Sequence, residues 1–456
     1  MWKGRLLSVP RVSSPWLTAG AQKVDYMRVN LYCSKLKMAA CAVLCMAMAA
    51  GWLRSAQAQI NLPANFKTYN PPGYYVFHTD VSRHMLQQIW LRMNFAAHAY
   101  DQRLHAIFGG SVTQKQPFYL FKHRSDYLAA GAPPGSAGVF MIDQYGQRLM
   151  GDVGNHISHQ TWHIIQHEGF HQFTFAFIHA FLPAWANEGT AEYFGEGLFT
   201  GNSFVTGWIP PYRLARIKFE MRHHKLLPIH TMRRMPYSQW NDVLLGTNYD
   251  EAWSMIYFLA WANHQKYATP FVRYLVAYHN GVPSEQAWDH IFGADDAAFQ
   301  KLWEKYWLTL PVDPTAELYA RVQTQTLTNY LARAWALHQT FKHAADFLHS
   351  AQDGSLKQYK LPNRNWLPSS LLKRALAAAG HVGTWSFSKA RIPHLICTMP
   401  DGTKLIGIFR LSEGQPGHVF VRVVPAKRGS IEAAAAAGKL TDQAPVADRA
   451  LDTVAQ

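Results

Sequence analysis

The chain is poor in cysteine. Of its four, Cys33, Cys41 and Cys45 fall within the first 58 residues and only Cys397 lies beyond them. Without that first segment no intramolecular disulfide can form, and stability must come from a packed core. Acids are also scarce, 29 against 44 Lys and Arg, which gives a formal charge of +15. Residues 1–58 hold eight of those bases and one acid, Asp25, so the remainder carries only about +8. A basic excess of this size describes a solvated surface. No RNA- or DNA-binding motif accompanies it, so nucleic acid is not an expected partner. Long apolar runs are lacking as well. Residues 38–53 form an apolar run of about 16, short for a membrane span. Lys35 and Lys37 precede it and Ser55-Ala56-Gln57-Ala58-Gln59 follows. This is the order of a signal sequence, so cleavage after Ala58 is expected, with Met27 as a candidate start. No lipoprotein-type cysteine closes the run. The expectation is therefore an exported protein (periplasmic, cell envelope or secreted) with no stable membrane anchor.

What is present centres on His167-Glu168-Gly169-Phe170-His171, an H-E-x-x-H sequence. On a helix, residues four apart share a face, so both imidazoles can reach one metal ion. Glu168 lies one residue round from His167 and can take a proton from an attacking water. A zinc ion used for chemistry needs a third protein ligand and one open position. Glu188 offers that ligand, 17 residues beyond His171. The interval allows one helix to close near Ala180 and another to open near Pro183, where proline suits a first turn. One zinc per chain is expected. Histidines also recur at 156, 159 and 163. Each four-residue step turns the face by about 40°, so a second metal site at His159 and His163 competes with the commoner packed or exposed histidine.

The two halves together, His167 to Gln172 as H-E-x-x-H-Q and Pro183 to Tyr193 as P-x-W-x-x-E-G-x-A-E-Y, resemble the gluzincin metallopeptidases. Within these the pattern is most similar to the peptidase MA-like group and its relatives of unknown function. The resemblance implies zinc held by His167, His171 and Glu188, with Glu168 as general base and a protein or peptide as substrate. It also implies Asn187 and Glu192 as outer partners, Glu192 orienting one of the two histidines. Glu192 as the third ligand in place of Glu188 remains the alternative. Residues 247–259 resemble the segment of aminopeptidase-N-type enzymes whose leading tyrosine stabilises an oxyanion, here Tyr249. A core tyrosine at a helix start is the other reading, and Glu251 and Ala252 depart from the lysine and glycine of those enzymes. No Gly-x-Met-x-Asn motif is present, so endopeptidase rather than exopeptidase action is implied.

Around this centre the pattern predicts strands at 74–79, 118–121 and 139–142 and a helix over 81–108. By resemblance, 139–142 is the candidate edge strand beside the metal that pairs with an extended substrate, and an ordinary sheet strand under a helix is the other reading. A helix opens at Thr247 or Asn248, and further helices occupy 269–280 and 284–307, with another over 315–351 and a short one at 371–379. Short alternating runs from 384 to 424 predict a small β module, with a hairpin turn at Asp401-Gly402. The expected class is α+β: a zincin-like core, made of a small N-terminal sheet, the H-E-x-x-H helix and a helical lobe, followed by the β module. The expected units are 1–58 signal, 59–310 metallopeptidase domain, 311–380 helical extension and linker, 381–428 β module and 429–456 disordered tail. A rival reading is a non-catalytic, metal-stabilised envelope binding or scaffold protein.

Overall fold

The computed structural model describes residues 62–144, 146–242 and 247–426. The expected signal segment and Ala-rich tail lie outside the described residues. Five strands come first: β1 (Lys67–Tyr69), β2 (Tyr75–Thr79), β3 (Gln116–Phe121), β4 (Gly138–Asp143) and β5 (Gly146–Asp152). They form one sheet in the order β1-β2-β3-β5-β4, with β2, β3 and β5 parallel and β1 and β4 antiparallel at the edges. The sequence leads one to expect three of these. It hides β5 because Gly146, Arg148 and Gly151 interrupt the apolar alternation. Arg148 is buried and pairs with Asp143 across the β4–β5 hairpin. Because β5 slots between β3 and β4, the 139–142 segment becomes the edge strand.

One face of the sheet, with Tyr75, Phe77, Phe118, Leu120 and Leu149, is buried in the main core. Helix α1 (Arg83–Phe108) shares that core through Ile89, Met93, Ala96 and Tyr100, its start capped by Ser82 Oγ accepting Met85 N–H at 3.3 Å. The other face carries a small cluster of Phe121, Tyr127 and Met150, closed by helix α2 (Arg124–Ala129). Helix α3 (His159–Ile178) begins where Ser158 Oγ accepts Thr161 N–H at 3.0 Å, and ends at His179 in the left-handed conformation. Its Trp162, Ile165, Phe170 and Phe173 pack into the same core. Helix α4 (Ala184–Gly195) follows Pro183, and every residue in it except Thr190 is buried. A two-stranded hairpin, β6 (Leu198–Phe199) and β7 (Phe204–Val205), then leads to the helical lobe.

That lobe contains α5 (Pro211–Arg222), α6 (Ile229–Arg234), α7 (Tyr237–Asp242), α8 (Thr247–Gln265), α9 (Ala268–His279), α10 (Ser284–Phe292) and α11 (Asp296–Thr309). Helix α8 loses helical geometry at Ala262, Asn263 and His264. The segment expected as one helix over 315–351 is two, α12 (Ala316–Ala336) and α13 (Ala344–Asp353). The chain turns between them with His338 in the left-handed region and Gln339 N–H returning to the Ala334 carbonyl at 2.9 Å. Helix α14 (Ser369–Val382) precedes the C-terminal antiparallel sheet β8 (Thr384–Phe387), β9 (Leu395–Thr398), β10 (Lys404–Ser412) and β11 (Gln415–Val424). Asp401 accepts Thr403 N–H at 2.9 Å in the expected β9–β10 turn. The β10–β11 turn is a two-residue Glu413-Gly414 loop, both at positive φ, the geometry that matches strand twist.

The described residues form one compact unit. The C-terminal sheet packs on α12, where Gly407 lies so close that a Cβ there would run into Thr328 Oγ1. No helix among the described residues is long and apolar enough to cross a membrane.

Candidate metal centre

Three histidines spaced by four on α3, His163, His167 and His171, face three glutamates spaced by four, Glu188 and Glu192 on α4 and Glu196 at its C-terminal cap. The two rows run antiparallel. His163 lies 3.3 Å from Glu192 and 3.4 Å from Glu196. His167 stands between the next pair, its Nδ1 3.1 Å from Glu192 Oε1 and its Nε2 3.3 Å from Glu188 Oε2. His171 Nε2 closes the row, 3.2 Å from Glu188 Oε2 and 3.0 Å from His167 Nε2. All three residues at this end are buried.

The triangle of His167 Nε2, His171 Nε2 and Glu188 Oε2 has the dimensions of a ligand face. Ligands at 2.0–2.1 Å in tetrahedral geometry stand about 3.3 Å apart. The protonation pattern fits as well. With Nε2 given to a metal, each imidazole holds its proton on Nδ1 and needs an acceptor there. Glu192 Oε1 is that acceptor for His167. The Asn187 amide is in place for His171, its Nδ2 2.9 Å from Nδ1. Turned over, the same amide offers Oδ1, which has no other partner. Glu188, Asn187 and Glu192 thus come from one helix, α4, and together address both histidines. This group can hold a metal ion.

Electrostatics point the same way. Burial alone would lower the His167 pKa, but the Glu188, Glu192 and Glu168 carboxylates outweigh it and hold the imidazole well above its usual range. Burial would raise Glu188, yet His171 and His167 bring it down to about 2. A site that concentrates this much negative charge in the interior is prepared for a cation.

A second group, His163, His167 and Glu192, is also close enough to share an ion. Its charge is already balanced. Arg213 Nη2 lies 2.7 Å from Glu192 Oε2, and Arg213 Nη1 donates to Glu196 Oε1 at 2.9 Å. Despite burial, Glu192 and Glu196 push the His163 pKa up to about 9, so a proton sits there. A metal at this end would also need the His167 nitrogen that faces Glu192. His159, at the first turn, is exposed and joins neither group.

Glu168 reaches the sheet edge while staying close enough to act on His167 and Tyr249. Its Oε2 accepts the Phe140 N–H of β4 at 2.8 Å. That bond ties α3 to the outer rim of the sheet. Tyr249, at the start of α8, has its ring 6.3 Å from that of His167 and 5.9 Å from that of Trp240. Burial, then the Glu188, Glu168 and Glu192 carboxylates, raises its pKa, so its hydroxyl keeps the proton and can donate. A cavity of about 490 Å³ opens to one side, at the start of α4, walled by Phe181, Pro183, Met235, Tyr237 and Tyr278. A row of rings, Phe140, Phe175, Phe181 and Tyr237, at spacings of 6.1, 5.4 and 5.7 Å, joins β4 to this cavity.

The sequence reading singled out His167, Glu168, His171, Asn187, Glu188, Glu192 and Tyr249, and the structure brings all seven into one neighbourhood. It missed Arg213, Asp250 and Glu196. Glu196 carries a signal, since it extends the four-residue spacing from Glu188 and Glu192. Arg213 carries none, because nothing local marks an arginine that serves another helix. The fold and this centre define an α+β protein with a buried two-histidine, one-glutamate group able to hold a metal ion. No protein-family model matches this chain, and no curated protein does.

Proposed function

We propose that the protein is an exported zinc-dependent peptidase that hydrolyses internal peptide bonds. The observation that carries this reading is the buried triangle of His167 Nε2, His171 Nε2 and Glu188 Oε2, with its side 3.0–3.3 Å long and both Nδ1 positions met by α4. Two imidazoles and one carboxylate suit zinc better than a hard, all-oxygen ion. When bound, zinc would supply a Lewis acid that polarises the substrate carbonyl and eases deprotonation of water. The other roles belong to the chain. Glu168 takes the proton of the attacking water and passes it to the leaving nitrogen. Tyr249 donates to the oxygen on which charge develops. β4 is the edge strand, and outside the Phe140 N–H that Glu168 accepts, its backbone is where an extended peptide would pair. The likeness of the two motifs to gluzincin peptidases supports the same reading, and export rests on the pattern of residues 1–58.

One observation favours the non-catalytic alternative. The Phe140 N–H bond gives Glu168 a structural use, so its presence does not by itself require a base. Glu168→Gln separates the two. As a peptidase, the variant keeps about one zinc per chain and loses hydrolysis of a broad protein substrate. A zinc-loaded wild-type protein that cleaves none of a diverse set of peptides would sink the peptidase reading and leave the scaffold one.

A further inference from the structure

Arg213 is buried on α5 and belongs to no motif. Its guanidinium meets three carboxylates from two other elements. Nη2 lies 2.7 Å from Glu192 Oε2 and 2.8 Å from Asp250 Oδ1. Nε donates to the same Asp250 oxygen at 3.1 Å, and Nη1 to Glu196 Oε1 at 2.9 Å. Its flat face rests on the Trp253 ring, 4.5 Å from the centroid. Only a planar fork with five N–H groups can serve three acids in fixed directions at once. The charge of the cluster closes around it, because Arg216 also donates to Asp250 Oδ1, at 2.5 Å, and His163 lies against Glu192 and Glu196.

Each arm leads to the candidate centre. Glu192 gives one oxygen to Arg213 and the other to His167 Nδ1. If that second oxygen is free to swing, the His167 ring loses the partner that aims Nε2 at the ion. Asp250 is the neighbour of Tyr249 on α8, so the second arm anchors the turn that carries the phenol. The same contact also denies Glu192 to the ion, which keeps it an outer partner rather than a fourth ligand.

We infer that Arg213 is a positioning residue that fixes the metal-binding histidine and the Tyr249-bearing helix to each other. This rests on the metal-centre reading above. A lysine there supplies the charge at one point and cannot hold three acids, and methionine supplies none.

The test is zinc affinity, by competition with a fluorescent chelator, for wild type, Arg213→Lys and Arg213→Met. The visible spectrum of each cobalt-substituted protein is recorded, with a melting curve of each metal-free protein as the folding control. The expected result is folded variants with affinity lowered about 10–100-fold, the range for loss of an outer partner. Arg213→Lys should fall less than Arg213→Met, and both should show a changed cobalt spectrum. Folded variants that match wild type in affinity and spectrum overturn the inference alone. A wild-type protein that holds no zinc overturns the metal-centre reading and this inference with it. If neither variant folds, Asp250→Asn tests the second arm. A wild-type zinc affinity with a lowered kcat supports the coupling, and an unchanged kcat overturns it.

Discussion

A carboxylate inside a protein is stable as an anion only where charge or hydrogen bonds replace the water it lost. At this centre each acid has a different replacement, and that difference sorts their roles. Glu188 faces two imidazole nitrogens, so on the proposed reading truncating it removes a direct ligand. Glu192 is shared between His167 and Arg213, so truncating it loosens a ring without removing a ligand. Glu188→Ala should therefore abolish tight zinc binding, whereas Glu192→Ala should weaken it about 10–100-fold. Equal zinc retention in Glu188→Ala and wild type, measured by elemental analysis after dialysis, would show the third ligand to be misassigned. Tyr249 is tested separately. On the proposed peptidase reading Tyr249 donates to the developing oxyanion only in the transition state, so Tyr249→Phe should lower kcat with little change in KM. The expected loss is about 10²–10³-fold. A change in melting temperature alone, with kcat intact, would make it a core tyrosine.

At the scale of elements, the centre depends on how closely α4 lies against α8. Gly189 is the contact. A Cβ there would meet the Ala252 carbonyl oxygen at 2.5 Å and its carbon at 2.7 Å, and backbone cannot step aside as a flexible side chain does. This is a physical reason for glycine after Glu188, independent of any family pattern. Gly189→Ala should push α8, and Tyr249 with it, away from α4. The cost should be about 1–3 kcal/mol, the usual penalty of overfilling a packed core. Because α8 moves while α3 and α4 stay paired, kcat should fall more than zinc affinity. Parallel losses in both would instead point to damage within α4. A similar close approach holds the C-terminal sheet on α12, where Gly407 faces Thr328 and Thr324.

Over the whole molecule, buried titratable groups on several helices set a common pH response. His163 on α3 is raised to about 9 by Glu192 and Glu196 against the cost of burial. Its contribution is present below its unfolded value of about 6.5 and is lost as pH rises through 9. Glu251 on α8 is raised to about 8, chiefly by burial, with only the Leu227 N–H to hold it down. It is neutral when folded, so stability falls as pH climbs from about 4.3, its unfolded value, through 8. Glu188 has the opposite sign. Lowered to about 2, it contributes above its unfolded value of about 4.3 and loses that contribution as pH falls toward 2. The metal-free protein should thus melt highest in mildly acidic solution and lower on both sides. Glu251→Gln, which keeps the shape without the ionisable group, should flatten part of the alkaline fall. An alkaline limb unchanged by that substitution would remove Glu251 as a cause.

What the sequence by itself determined is local. Two histidines four apart must share a helix face, and proline at 183 suits the opening of a helix. The β-branched and aromatic run at 74–79 and the Asp401-Gly402 turn were readable for the same reason, since each is settled by neighbours within a few positions. Tertiary structure decided the rest. It slid β5 between β3 and β4 and so made β4 an edge, bonded Glu168 to the Phe140 N–H, and set the glutamate row of α4 against the histidine row of α3. Arg213 reached its three acids in the same way, across 17 to 37 residues of chain. Such pairings follow from which apolar faces bury together and from the need to neutralise every charge carried inside with them. Periodicity cannot express either condition, because the partners are chosen by packing and not by spacing.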